Sequence, residues 1–292
     1  MGVQLQTLIV DAFQRLSPLP QRSYLVIIDG LDECHDKETQ QLILQLLCET
    51  ITVHKLPLRF LIGSRPESHI RESFDQESLY TITRRVVLDD TFNPERDIQV
   101  FLQDGFAKIC AKNSIMSHVE QPWPREGIID LLVQRSSGQF IYAATVLKFV
   151  GADFCSPTKQ LGLVLKRDPT ALSDLDQLYT QILSAYPSSV NIVQILGIII
   201  ASEQNWPQVI EDILGMEEGE LKLVLCGLSS LMDEDRVITK PYVIPHFAHA
   251  SFSDYLFNSS RSGPFHVNLQ EYNNQVTIRS FTLIIQSIRS GM

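Results

Sequence analysis

Several common signatures are missing from this chain, and each absence narrows what it can be. No apolar run is long enough to cross a bilayer: the most apolar stretch, Ile192 to Ala201, is about half of the ~20 residues required. No membrane association is expected. Positive charge is scarce, with 24 Lys and Arg against 34 Asp and Glu and a net charge of −10. That balance argues against a bulk electrostatic hold on nucleic acid. Cysteine is sparse, and Cys34, Cys48, Cys110, Cys155 and Cys226 form no C-x-x-C pair. They read as reduced thiols of a cytoplasmic protein. The histidines show no metal spacing and no H-E-x-x-H, and there is no G-x-S-x-G, so zinc and hydrolase chemistry get no support. No basic n-region marks a signal peptide, and Gln6 stands where myristoylation of Met1-Gly2 wants Ser or Thr. Finally, no Gly-Lys dipeptide occurs in the 292 residues, which excludes a phosphate-cradling G-x-x-x-x-G-K-[ST] loop.

What is present is a globular composition, 44% hydrophobic and 20% charged, at a length that fits about two domains. The most informative stretch is Tyr24-Leu25-Val26-Ile27-Ile28-Asp29-Gly30-Leu31-Asp32-Glu33. A short apolar run that ends in carboxylates is how a buried parallel strand delivers a Mg²⁺-binding Asp to a nucleotide site. This is the Walker B half of a nucleotide site without its phosphate-binding half.

The pattern predicts a helix over 4–15, broken at Ser17-Pro18-Leu19-Pro20, then a strand at 24–29 and a helix from about Thr39 to His54. A second apolar strand, 58–64, ends at Arg65-Pro66. A short helix at 67–74 leads to β-branched Tyr80–Leu88, read as a third strand. Strands alternating with helices indicate a parallel α/β sheet. From 91 the chain turns helical: Asn93-Pro94 opens one helix, Trp123-Pro124 opens another to Arg135, and Phe140–Val150 forms a third. Ser173-Asp174-Leu175-Asp176 is a capping box for a helix to Tyr186. Pro241–Phe247 reads as a β-ribbon before a helix at 249–257, a winged-helix pattern.

The candidate site residues each have a bland alternative. Asp29 with Asp32 and Glu33 can hold Mg²⁺ and orient water, or can form a polar loop after a buried strand. Arg65 ends the next strand, so it shares a sheet edge with Asp29 and can reach a phosphate oxygen; otherwise it is a surface Arg beside Pro66. His249 stands among apolar neighbours, where a cap or core role is the common one.

These pieces, in this order, resemble a NACHT domain of the STAND class of P-loop NTPases, of the nephrocystin-3-like type abundant in fungi. The resemblance rests on Val26-Ile27-Ile28-Asp29-Gly30-Leu31-Asp32-Glu33-Cys34 and on Phe60-Leu61-Ile62-Gly63-Ser64-Arg65-Pro66-Glu67. It extends through Ser137-Gly138-Gln139-Phe140-Ile141-Tyr142, Leu175-Asp176-Gln177-Leu178-Tyr179 and His249-Ala250-Ser251-Phe252-Ser253-Asp254-Tyr255-Leu256. It implies an α/β fold followed by all-α. A partial NACHT α/β core would span 1–90, a helical subdomain 91–167, a winged-helix-like subdomain 168–258 and a helical extension 259–292. The resemblance also implies Mg²⁺ at Asp29, catalytic water activation by Asp32 and Glu33, and ATP/ADP contacts from Arg65 and His249. Set against the family, the chain starts beyond the P-loop strand, so the expected function is a truncated signalling-type module without NTPase activity of its own. It would act through protein partners or self-association. The alternative is an ATP-hydrolysing switch whose P-loop comes from a preceding segment or a partner chain. A DNA-binding winged helix at 170–258 is disfavoured by the acidic composition and the lack of a Lys/Arg-rich recognition helix.

Overall fold

The computed structural model describes residues 2–15, 22–34, 36–88, 92–153, 155–166, 173–185, 191–202, 207–232 and 247–290. Its contacts separate two units, Met1–Leu88 and Asp89–Met292. The described chain is mostly helical, with one two-stranded parallel sheet in the first unit.

That first unit begins with α1 (Gly2–Leu5), a π-helical turn (Gln6–Val10) and α2 (Asp11–Gln14), which together cover the helix expected at 4–15. The predicted break at Ser17–Pro20 lies outside the described residues. Strands β1 (Tyr24–Ile28) and β2 (Leu58–Ile62) then pair in parallel, from Tyr24↔Leu58 to Ile28↔Ile62. Parallel neighbours need a long crossover, and α3 (Lys37–Thr52) supplies it. The Asp36 carboxylate starts α3 by accepting the Thr39 amide at 2.6 Å. Side chains alternate across a strand, so Val26, Ile28, Phe60 and Ile62 share one face and Leu25, Ile27, Arg59 and Leu61 the other. Ile9, Val10 and Phe13 pack with Val26 and Phe60, while Leu31, Leu44, Cys48 and Ile70 gather around Ile62. On the opposite face Leu25, Ile27 and Leu61 are exposed.

The third strand is not formed. After α4 (Ser68–Asp75), residues Glu77–Tyr80 make a short helix, α5, and Thr83–Leu88 follow as chain without a ladder. Residues such as Val86 and Val87 favour strands because they pack on a pleated surface beside a neighbour. No neighbour is paired with them among the described residues, and propensity alone does not make a strand.

Helices of the second unit are α6 (Pro94–Lys112), α7 (Ile128–Ser136), α8 (Phe140–Val150), α9 (Pro157–Leu165), α10 (Asp174–Ser184) and α11 (Ile192–Ala201). They continue as α12 (Pro207–Leu214), α13 (Glu220–Gly227), α14 (Ala250–Phe257), α15 (Ser259–Ser262) and α16 (Leu269–Ser290). One apolar cluster runs through it from Ile98 to Val267. The helix expected to open at Trp123-Pro124 starts only at Ile128, because Gly127 before it takes a left-handed conformation (φ 80°). Buried Arg135 donates to the carbonyls of Val164 (2.9 Å) and Leu165 (3.4 Å), placing its charge on the C-terminal end of α9. Gly197 lets α11 and α16 approach closely: a Cβ there would meet the Tyr272 ring at 2.5 Å. The expected β-ribbon at 241–247 lies outside the described residues except for Phe247, which forms an antiparallel bridge with Met232.

Candidate functional site

Both strands of the first unit end at the same edge, and four of the five predicted site residues gather there. Asp29 follows β1 directly and is exposed. Its carboxylate lies over Gly63, where a Cβ would come within 2.8 Å of Asp29 Oδ1. Gly30 then turns left-handed (φ 70°), a conformation glycine takes without steric cost, and throws the chain into the 3₁₀ turn Leu31–Glu33. Leu31 is fully buried and anchors the turn. The exposed Glu33 side chain folds back over Gly30.

Asp32 is committed differently. Its Oδ1 accepts the Arg65 amide at 2.9 Å and the Ser64 hydroxyl at 3.2 Å, and its Oδ2 lies 3.5 Å from Arg65 Nε. The carboxylate therefore stitches the turn after β1 to the exit of β2. As a side-chain pair with a half-exposed Arg it is worth at most about 1 kcal/mol, so the main-chain bond matters more.

Gln40, buried in α3, holds the turn from below. Its Nε2 donates to the carbonyls of Asp32 (3.0 Å) and Cys34 (2.9 Å), and its Oε1 meets His69 Nε2. The opposite nitrogen, His69 Nδ1, is buried without a partner among the described residues. Neither Gln40 nor Gly63 was legible as a site residue. A Gln at a helix position facing apolar Leu44 and Leu47 was the only hint for the first.

No three His, Cys, Asp or Glu side chains converge as a metal-binding group among the described residues. A Mg²⁺–nucleotide does not fit this donor set as it stands. Asp32 is occupied by the exit of β2, Asp29 and Glu33 are exposed and lie over Gly63 and Gly30 with no shared partner among the described residues, and the sequence holds no Gly-Lys loop for the phosphates.

Replacing Gly63 by Ala is expected to turn Asp29 aside at a cost of less than about 1 kcal/mol, because the crowded atom is the free end of a side chain. Urea unfolding of Gly63→Ala checks this. A loss of several kcal/mol would mean that Asp29 is held where it is.

His249 belongs to the second unit, where it caps α14. Its Nδ1 accepts the Ser251 amide at 3.1 Å and lies 2.7 Å from Ser251 Oγ, which in turn lies 2.8 Å from Tyr179 OH. Accepting at Nδ1 puts the ring proton on Nε2. Around this cap the Leu175–Tyr179 and His249–Leu256 motifs pack together, with Tyr179 5.0 Å from Phe252 and 5.4 Å from Tyr255, ring centre to ring centre. Thr180 Oγ1 meets Tyr255 OH at 2.8 Å. Beneath them, buried Asp176 takes both Nε and Nη2 of Arg261, the shortest contact being 2.7 Å. Asp176 thus turns from the capping role its spacing predicted; Ser173 Oγ still accepts the Asp176 amide at 3.1 Å. Arg261 carries no motif of its own. The available signal was an acid on the apolar face of α10, which calls for a cation.

The family model described as Nephrocystin 3, N-terminal matches residues 3–65, a stretch within the first unit that includes Asp29, Asp32, Glu33 and Arg65. This is consistent with a nephrocystin-3-like protein. No curated protein and no solved structure was found to match the chain.

Proposed function

We propose that this chain is a signalling-type module of the NACHT class that works through protein contacts and does not hydrolyse ATP by itself. The observation that carries this reading is the state of Asp32. The carboxylate that the family resemblance assigns to water activation is bonded to the Arg65 amide and Ser64 hydroxyl, so it serves as a brace between strand ends. The match to the nephrocystin-3 N-terminal family over residues 3–65 is consistent with a nephrocystin-3-like protein, and the acidic edge after two parallel strands is in keeping with the proposed class.

Binding arithmetic points the same way. Micromolar affinity requires about 8.2 kcal/mol, and each charge-assisted hydrogen bond contributes roughly 1.5–3 kcal/mol. Arg65 offers such bonds from one guanidinium that already leans on Asp32. Exposed Asp29 and Glu33 repel a polyphosphate.

Calorimetric titration of the whole chain with Mg·ATP and with ADP, beside Asp29→Ala, tests the proposal. No micromolar binding and no phosphate release are expected from either protein. Micromolar binding that Asp29→Ala weakens would overturn the proposal. It would favour the second reading, a nucleotide switch whose phosphate loop comes from outside this sequence. The exposed Asp29 at a parallel strand end is the feature that keeps that reading in view.

A further inference from the structure

The sheet of the first unit is open in three directions. The bonds that close its ladder run from Tyr24 N to Pro57 O and from Gly63 N to Ile28 O, each 2.8 Å. By the alternation of a parallel ladder, the peptide groups of Leu25 and Ile27 face out of one edge and those of Phe60 and Ile62 out of the other. None of these four residues has a hydrogen bond outside the β1–β2 ladder among the described residues. The uncovered face adds Leu25, Ile27 and Leu61 at 61%, 66% and 57% exposure. Parallel sheets are normally covered on both faces, and an open edge is a template for another strand.

The same unit carries an unused strand. Thr83–Leu88 is a described segment with no ladder, and Val86, Val87 and Leu88 are 60%, 72% and 84% exposed. Arg85 ties its start to α4, through Asp75 at 2.8 Å and over the Phe74 ring at 5.6 Å, which leaves the apolar end projecting. Six residues match the five-residue length of β2. Alternation puts Arg84, Val86 and Leu88 on one side and Thr83, Arg85 and Val87 on the other, so the C-terminal half of the segment is apolar on both sides, where a strand added to this sheet would be covered. Charge does not oppose pairing, since residues 1–88 hold nine Lys and Arg against eleven Asp and Glu.

We propose that Thr83–Leu88 of a second copy adds as a strand to the open edge of β2, and that two copies exchange these segments reciprocally to close a dimer. The occupant is a second copy because one chain carries both the donor segment and the acceptor edge, and neither is paired among the described residues. Reciprocal exchange satisfies both at once, whereas one-way addition leaves an open chain of copies.

Light scattering and sedimentation of the 292-residue chain over a range of micromolar concentrations test this, together with Val86→Lys and Val87→Lys and with hydrogen exchange at the Phe60 and Ile62 amides. A dimer is expected, with both amides exchanging more slowly as concentration rises. Each substitution should weaken the dimer by at least about tenfold and leave the helical circular dichroism unchanged. Leu61→Lys, on the uncovered face, gives a second route to the same loss without touching the donor segment. A monomer throughout overturns the proposal, and a monomer with slow exchange at Phe60 and Ile62 does so by placing the segment on its own sheet. A dimer indifferent to all three substitutions, or one with fast exchange at the β2 edge, overturns it too. None of these readouts involves nucleotide, so failure here is distinct from failure of the proposed function.

Discussion

Arg261→Ala is expected to destabilise the second unit by about 3–5 kcal/mol, the usual cost of stranding one member of a buried ion pair. Arg261 reaches Asp176 with two nitrogens at 2.7–3.2 Å, and Asp176 is almost wholly buried beside Leu178 and Tyr179. Without Arg261 the carboxylate is left in an apolar site with neither its counter-charge nor its two donors. Asp176→Ala should cost less, because Arg261 is about a quarter exposed and can turn to water. The double substitution should fall well short of the sum, since neither charge is then left alone. Arg261→Lys should rescue only in part, for an ammonium cannot make the two-nitrogen contact. Urea unfolding of the four variants measures these differences. A loss within ~0.5 kcal/mol for Arg261→Ala would show that the pair is not buried in solution.

A second large loss is expected at alkaline pH. Burial pushes the Tyr142 and Tyr179 phenols up from 10 to about 12 in the folded chain. Each proton is therefore held more tightly folded than unfolded. The associated stability is complete below pH 10 and is lost as pH rises from 10 to about 12. A rise from 10 to about 12 corresponds to roughly 2–3 kcal/mol per phenol, so the pair can remove on the order of 5 kcal/mol. Thermal melts followed by circular dichroism, with tyrosinate absorbance in parallel, should show Tm falling steeply above pH 10. Tyr179→Phe should remove its share of that fall. A Tm that stays level to pH 12 would contradict the burial of both rings.

How much of this was legible depended on how local each signal is. Tyr24–Ile28 and Leu58–Ile62 were readable because short apolar runs, the second broken by Arg59 alone, with turn residues after them need no distant information. Lys37–Thr52, Pro94–Lys112 and Phe140–Val150 were readable from periodicity and caps. Thr83–Leu88 misled because strand propensity speaks of a surface to pack on, and only the fold says whether that surface is there. Asp32 and Asp176 were both visible as acids, but their partners, Arg65 and Arg261, are 33 and 85 residues away. The family resemblance implied water activation for Asp32, and spacing placed Asp176 in a capping box; the contacts that both acids make with arginines could not be read from either.

Gln40 has a mechanical consequence. Its carboxamide grips the carbonyls on either side of Glu33, while the ring of His69 on α4 presses on its other end. The acidic turn is thus hung from the crossover helix as well as from the strand that leads into it. A tilt of α3 would carry Asp32, Glu33 and Cys34 with it, and a shift of α4 would be felt at the same three residues through His69. The helices on the covered side act as a lever whose short arm is the turn at the strand ends. A disturbance of the α3–α4 packing would therefore register first in the posture of that turn, while the ladder between the strands stays intact.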